Sequence, residues 1–204
     1  MQVATDAIDR LHTTAQSHDR VMIVEVMGRN TGWIAVYAGL AGGADGILIP
    51  EVRTPVEKVA AGILKRHERG KNFSIIVVAE GAMLTFEETG EERLIQPTEA
   101  EDEYGYPRLG GIGAALGKEL EERTGFESRV TVLGHVQRGG TPTSTDRILA
   151  TRYGAAAYDM VKRGEFGRMV AIDGDELTWV PLAEVTGVKA TDLLVLEIAE
   201  RFFT

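Results

Sequence analysis

A layered α/β fold with parallel strands is the architecture this sequence predicts, and three observations carry it. Apolar runs of strand length alternate with segments of helical spacing along most of the 204 residues. The runs at 20–26 and 73–81 are apolar almost throughout, as strands buried on both faces are, rather than alternating like half-exposed antiparallel ones. Polar residues and glycines collect where these runs end, which is where open parallel sheets bind their ligands.

Taken in order, residues 3–15 have helical spacing, with Val3, Ala7, Ile8 and Leu11 on one side. This helix opens almost at the first residue without a cap, as though cut from a longer chain. "RVMIVEV" (20–26) is a buried strand, and "GWIAVYAGLAGG" (32–43) is a helix closed by glycines. "GILIPE" (46–51) is a short strand, after which Pro55 opens a helix to about His67. "FSIIVVAEG" (73–81) is the next buried strand. The acidic, aperiodic stretch 87–103 reads as a surface loop. A glycine-spaced helix covers about 111–123, and "SRVTVLG" (128–134) is another strand. Residues 142–162 form a long helix, then "RMVAIDG" and "ELTWVPL" form two strands about a Gly-Asp turn. A last helix covers about 192–203.

Composition excludes several classes of function. A net charge of −9 argues against a general nucleic-acid or acidic-membrane surface, so an anionic ligand needs a local cluster of cations. The absence of cysteine removes disulfides, thiolate metal sites and cysteine nucleophiles. No apolar run approaches the roughly 18–20 residues of a membrane span, and the first residues do not have the pattern of a signal peptide. A cytoplasmic protein is the expectation.

Three strand ends carry chemistry. "VEVMGRNTG" puts Arg29 just before a helix, "VVAEGAM" puts Glu80 at the end of its strand, and "VLGHVQRGG" supplies His135 and Arg138. Singly, each has a bland reading: a solvated arginine, a capping glutamate, a histidine bonded to backbone. Their occurrence at successive strand–helix junctions favours a shared ligand. Arginine's planar fork can hold two phosphate oxygens, the helix after Pro142 can add amide donors, and a glutamate suits hydroxyls. A sugar phosphate fits. Arg20 and Arg129 stand at the opposite, starting ends of their strands, and six or seven strand residues span about 20 Å. They reach a neighbouring subunit's ligand more readily than their own.

The run Arg129, four residues, Gly134-His135, Gln137-Arg138-Gly139-Gly140, five residues and Asp146-Arg147 resembles the signature of the 6-phosphofructokinases. "EVMGRNTGWIA", "ILIPE", "VVAEGA" and "DRILATRYGAAA" resemble further segments of that family, in the expected order. The resemblance implies a phosphofructokinase-like parallel-sheet fold lacking most of its N-terminal nucleotide-binding domain. Residues 1–136 would belong mainly to the sugar-phosphate domain, 137–190 to part of the nucleotide-binding domain, and 191–204 to a helix returning to the first. It also implies that fructose 6-phosphate is contacted by Met27, Gly28 and Arg29, by Glu80 at its hydroxyls, and by His135 and Arg138 at its phosphate. Arg20 and Arg129 would come from a neighbouring subunit of a homo-oligomer. Arg29 would also stabilise charge on the transferred phosphoryl group.

The chain departs from the family in having no glycine-rich donor loop and no acidic segment carrying the catalytic base and helping to hold Mg. "GLAGGAD" (39–45) ends a helix, and "AIDGDE" (171–176) reads as a hairpin turn. Mg with ATP, or pyrophosphate as donor, therefore belongs to the complete enzyme, and this chain is expected to bind none and to be inactive alone. A non-catalytic sugar-phosphate-binding or subunit-interaction protein is the alternative of another class. Asp45, Arg69 and Lys71 partly match the bacterial family's allosteric nucleotide site, but His12 and Phe73 stand where basic residues belong. The second region is expected to expose apolar surface, including Trp179 and Val180, and so to aggregate or oligomerise.

Overall fold

The structure, a computed structural model, describes residues 1–15, 20–95 and 109–203. Its elements are α1 (Gln2–Ala15), β1 (Arg20–Val26), α2 (Trp33–Ala41), β2 (Gly46–Leu48), α3 (Val56–Glu68) and β3 (Phe73–Ala79). There follow β4 (Met83–Thr85), β5 (Glu92–Leu94), α4 (Ile112–Thr124), β6 (Glu127–Val132), α5 (Ser144–Lys162), β7 (Arg168–Asp173), β8 (Glu176–Pro181) and α6 (Leu193–Glu200). They fall into two compact units, Met1–Gly139 with Lys189–Thr204, and Gly140–Val188.

The first unit is built on a four-stranded sheet, β2-β3-β1-β6, whose pairs are all parallel. In β1 and β3 six consecutive residues are buried after the first, because helices cover both faces. Met22, Val24 and Val26 pack with Ile8 of α1, Val36 of α2 and Leu196 of α6. On the other face Val21 and Ile23 pack with Ile63 of α3 and Leu116 of α4. Gly117 lets α4 lie close: a Cβ there would meet Ser128 Oγ at 2.7 Å.

The buried Glu25 of β1 ties these layers together. Its carboxylate accepts hydrogen bonds from the N–H groups of Gly111 and Gly113 at the start of α4, at 3.1 and 2.8 Å. A buried carboxylate is tolerable because a helix N-terminus supplies donors and a favourable dipole.

In the second unit α5 lies beside the antiparallel β7–β8 hairpin. Met160 is the single buried hydrophobic side chain among its described residues. Tyr158, Phe166 and Trp179 are 64 %, 73 % and 48 % exposed, whereas Val180, expected to be exposed, is half-buried.

Several expectations are corrected. The stretch 87–103 is not all loop: Glu92–Leu94 pairs antiparallel with Met83–Thr85, and 96–103 lie outside the described residues. On α1 Ile8 is buried and Leu11 packs against the same cluster, as expected, while Ala4 and Ala15 are buried in place of the half-buried Val3 and Ala7. β2 stops at Leu48, short of Pro50, which has no N–H for a ladder, and α6 stops at Glu200 rather than 203. The N-terminus of α5 is closed upon itself. Thr143 Oγ1 accepts from Asp146 N–H while Asp146 accepts from Thr143 N–H, a reciprocal capping box. Asp146 is held below the usual carboxylate range by its bonds from Thr143.

Candidate substrate site

Parallel register brings three strand ends to one edge of the sheet. Val26 is opposite Ala79, and Glu25 is opposite Val132. The pairing runs one step further: Glu80 N–H donates to Val26 O at 2.9 Å and Leu133 N–H to Glu25 O at 3.1 Å. Segments 27–29, 80–81 and 133–138 therefore leave the sheet side by side.

Two glycines make the crossing at this edge possible. Gly81 N–H donates to Gly28 O at 3.0 Å. A Cβ on Gly81 would lie 1.9 Å from Arg29 O, and one on Gly28 would lie 2.6 Å from Thr31 O. Only residues without a side chain let the Arg29 segment pass over the end of β3.

Glu80 is half-buried at the centre of this edge. Burial pushes its carboxyl upward, a hydrogen bond from Gly28 and the charges of Arg29 and Arg138 pull it back, and Glu25 adds a smaller push. The net direction is up. Arg29 and Arg138 thus come from different strands and both act on Glu80, while His135 shares with Arg138 the exposed 3-10 turn Gly134–Arg138. Chemically, the edge offers two cations for an oxyanion and one carboxylate for hydroxyl donors.

Gln137, to which the sequence reading gave no role, stands in the same turn. Its Oε1 accepts from Met27 N–H at 3.3 Å and its Nε2 donates to Gly134 O at 3.0 Å. The signal was present in the quoted motif, but Met27 is 110 residues away in sequence.

Arg20 and Arg129 lie elsewhere. Arg20 opens β1 and its Nε meets Glu127 Oε2 at 2.7 Å, and Arg129 pairs with the same carboxylate. Glu127 thus holds both guanidiniums near the starting edge of the sheet, with Glu121 bonded to Ser128, between Glu127 and Arg129 in sequence. Asp45, 9 % exposed, bonds Arg66 at 2.7 Å and accepts from Ile75 N–H at 2.8 Å. Burial still raises its pKa against the opposing pull of Ile75, Arg66, His12 and Lys71. His12 stands 2.7 Å from Gly42 O, so Nε2 is its donor nitrogen, and its ring meets Phe73 edge-on. Asp45 is thus committed to contacts inside the fold.

A phosphofructokinase family model matches residues 1–161. The chain belongs to the phosphofructokinase family. It is 57% identical over 187 residues to an ATP-dependent 6-phosphofructokinase of Chloroflexus aurantiacus, covering 92% of this chain and 49% of that one. It is 53% identical over 205 residues to a pyrophosphate–fructose 6-phosphate 1-phosphotransferase of Amycolatopsis mediterranei, covering 100% and 58%. The chain spans about half the length of the curated relatives it matches. A solved phosphofructokinase of Saccharomyces cerevisiae is 34% identical with a TM-score of 0.72, covering 98% of this chain and 24% of that one. The fold is also that of a pyrophosphate-dependent phosphofructokinase from Marinobacter aquaeolei, 24% identical with a TM-score of 0.71, over 95% of this chain and 47% of that one.

Among the described residues of this phosphofructokinase chain, no three His, Asp or Glu side chains gather to hold a metal ion. Glu25, the other carboxylate acting on Glu80, is already occupied by α4.

Proposed function

We propose that the chain is the fructose 6-phosphate-binding portion of a 6-phosphofructokinase. The observation that carries this reading is the meeting, at one edge of the parallel sheet, of the strand ends that bear Arg29, the half-buried Glu80 and the turn with His135 and Arg138. In it, Arg138 and His135 hold the 6-phosphate, Glu80 takes sugar hydroxyls, and Met27, Gly28 and Arg29 line the reacting end. Arg29 there meets charge developing on the transferred phosphoryl group. Arg20 and Arg129 serve a neighbouring copy in a homo-oligomer, with Glu127 holding them at the edge remote from Arg29. Residues 1–136 and 191–204 form the sugar-phosphate domain, and 137–190 are part of the nucleotide-binding domain.

ATP-dependent and pyrophosphate-dependent relatives match this chain at 57% and 53% identity. The choice of donor, and Mg with it, is therefore assigned to residues outside this chain, which is inactive alone. The compartment is proposed to be the cytoplasm. Among the described residues no helix is long and apolar enough to cross a membrane.

Calorimetric titration tests the reading. Fructose 6-phosphate binds and fructose does not, while Arg138→Ala weakens binding about tenfold or more, the scale of a charge-assisted hydrogen bond. Failure of the folded chain to bind fructose 6-phosphate overturns the assignment. Turnover of fructose 6-phosphate with ATP or pyrophosphate overturns the claim of inactivity.

A further inference from the structure

We propose that Gln137 is a positioning residue, one carboxamide that sets the Arg29 segment against the turn carrying His135 and Arg138. The proposal rests on the sugar-phosphate reading of this site and adds to it a residue that acts through others.

Both ends of the amide are used, each by a partner that permits a single role. Met27 N–H can only donate, and it reaches Oε1 at 3.3 Å. Gly134 O can only accept, and it meets Nε2 at 3.0 Å. The orientation of the amide is thereby fixed. Met27 is the first residue beyond β1, where the strand ladders are running out. The ladder of β1 ends at Val26 with β3 and at Glu25 with β6, and beyond it Met27 N–H finds its acceptor on a side chain, Gln137 Oε1. Gly134, at φ +49°, starts the 3-10 turn, a conformation that favours glycine. Gln137 thus links the first residue after β1 to the residue that redirects the chain after β6. Arg29 lies two residues beyond Met27, and Arg138 directly follows Gln137. Glutamate lacks the donor, methionine lacks both functions, and asparagine is a methylene shorter.

The test is Gln137→Met in the 204-residue chain, alone and combined with Arg29→Ala, titrated with fructose 6-phosphate and followed by amide hydrogen exchange. Met27 is expected to be protected in the wild type and to exchange faster in Gln137→Met, with the β1 and β3 amides unchanged. Affinity falls about tenfold, the scale of one lost hydrogen bond. Arg29→Ala then weakens binding by a smaller factor in the Gln137→Met background than in the wild type, since the latch acts through that segment. A role confined to stability gives equal factors, and equal factors overturn the proposal. Rapid Met27 exchange in the wild type overturns it even where the variant fails to fold. Absence of fructose 6-phosphate binding by the wild type removes the underlying reading instead, and the proposal falls with it.

Discussion

At Glu80 the requirements of ligand and fold oppose one another. Its pKa is raised in the fold from an ordinary 4.5, burial being the first cause. A raised carboxyl contributes stability that is full below the unfolded value and is lost as pH rises through the folded one. Glu80→Gln is therefore expected to melt higher than the wild type near pH 7 and to lose that advantage toward pH 3, as thermal unfolding at the two pH values checks. The same substitution weakens fructose 6-phosphate binding about tenfold or more, because a hydrogen bond to a charged acceptor is lost. Glu80, Arg29 and Arg138 were legible because strand ends collect chemistry. Gln137 and Gly81 were quoted within motifs but given no role: what each touches, Met27 N–H and Arg29 O, is set by sheet register.

Among the elements, α2 and the segment leading into α6 share one acceptor. Both oxygens of Glu51 accept from Gly32 N–H, at 3.1 and 2.9 Å, and Oε1 also accepts from Thr191 N–H at 3.0 Å. Trp33 Nε1 adds a bond to Lys189 O at 2.9 Å. Burial works to raise the Glu51 carboxyl, but the bonds from Thr191 and Gly32 outweigh it and hold it low. The sign is opposite to that of Glu80: this stability is present above the unfolded value of 4.5 and is lost as pH falls through the folded one. Glu51→Gln should cost about 1–3 kcal/mol at pH 7, and the gap should close toward pH 3 in denaturant titrations. Gly81→Ala, with its Cβ driven into Arg29 O, should cost about 1–3 kcal/mol and weaken sugar-phosphate binding together with stability. The long apolar strands were legible from their composition. The β4–β5 pair was not, since "ERL" is exposed at every residue and its three-residue partner Met83–Thr85 has no periodicity of its own.

For the whole molecule, the two units differ in how much they bury. The first has two apolar clusters, while the second has Met160 and a surface bearing Phe166, Trp179 and Tyr158. Sedimentation velocity is expected to show self-association that mild detergent reverses; a monomer at tens of micromolar would count against it. That exposure followed from reading 137–190 as part of a larger layered domain, whereas Val180 shows that a hairpin hides some of its own side chains. The last helix, α6, places Leu196 and Ala199 in the cluster that begins with Ala4 and Ile8. This gives the fold an order in time. On a ribosome, α1, β1, α2 and β3 emerge early, but the cluster they form stays open until α6 has been made. At ordinary rates of chain synthesis that interval is on the order of ten seconds. During it the nascent chain displays an uncovered apolar face.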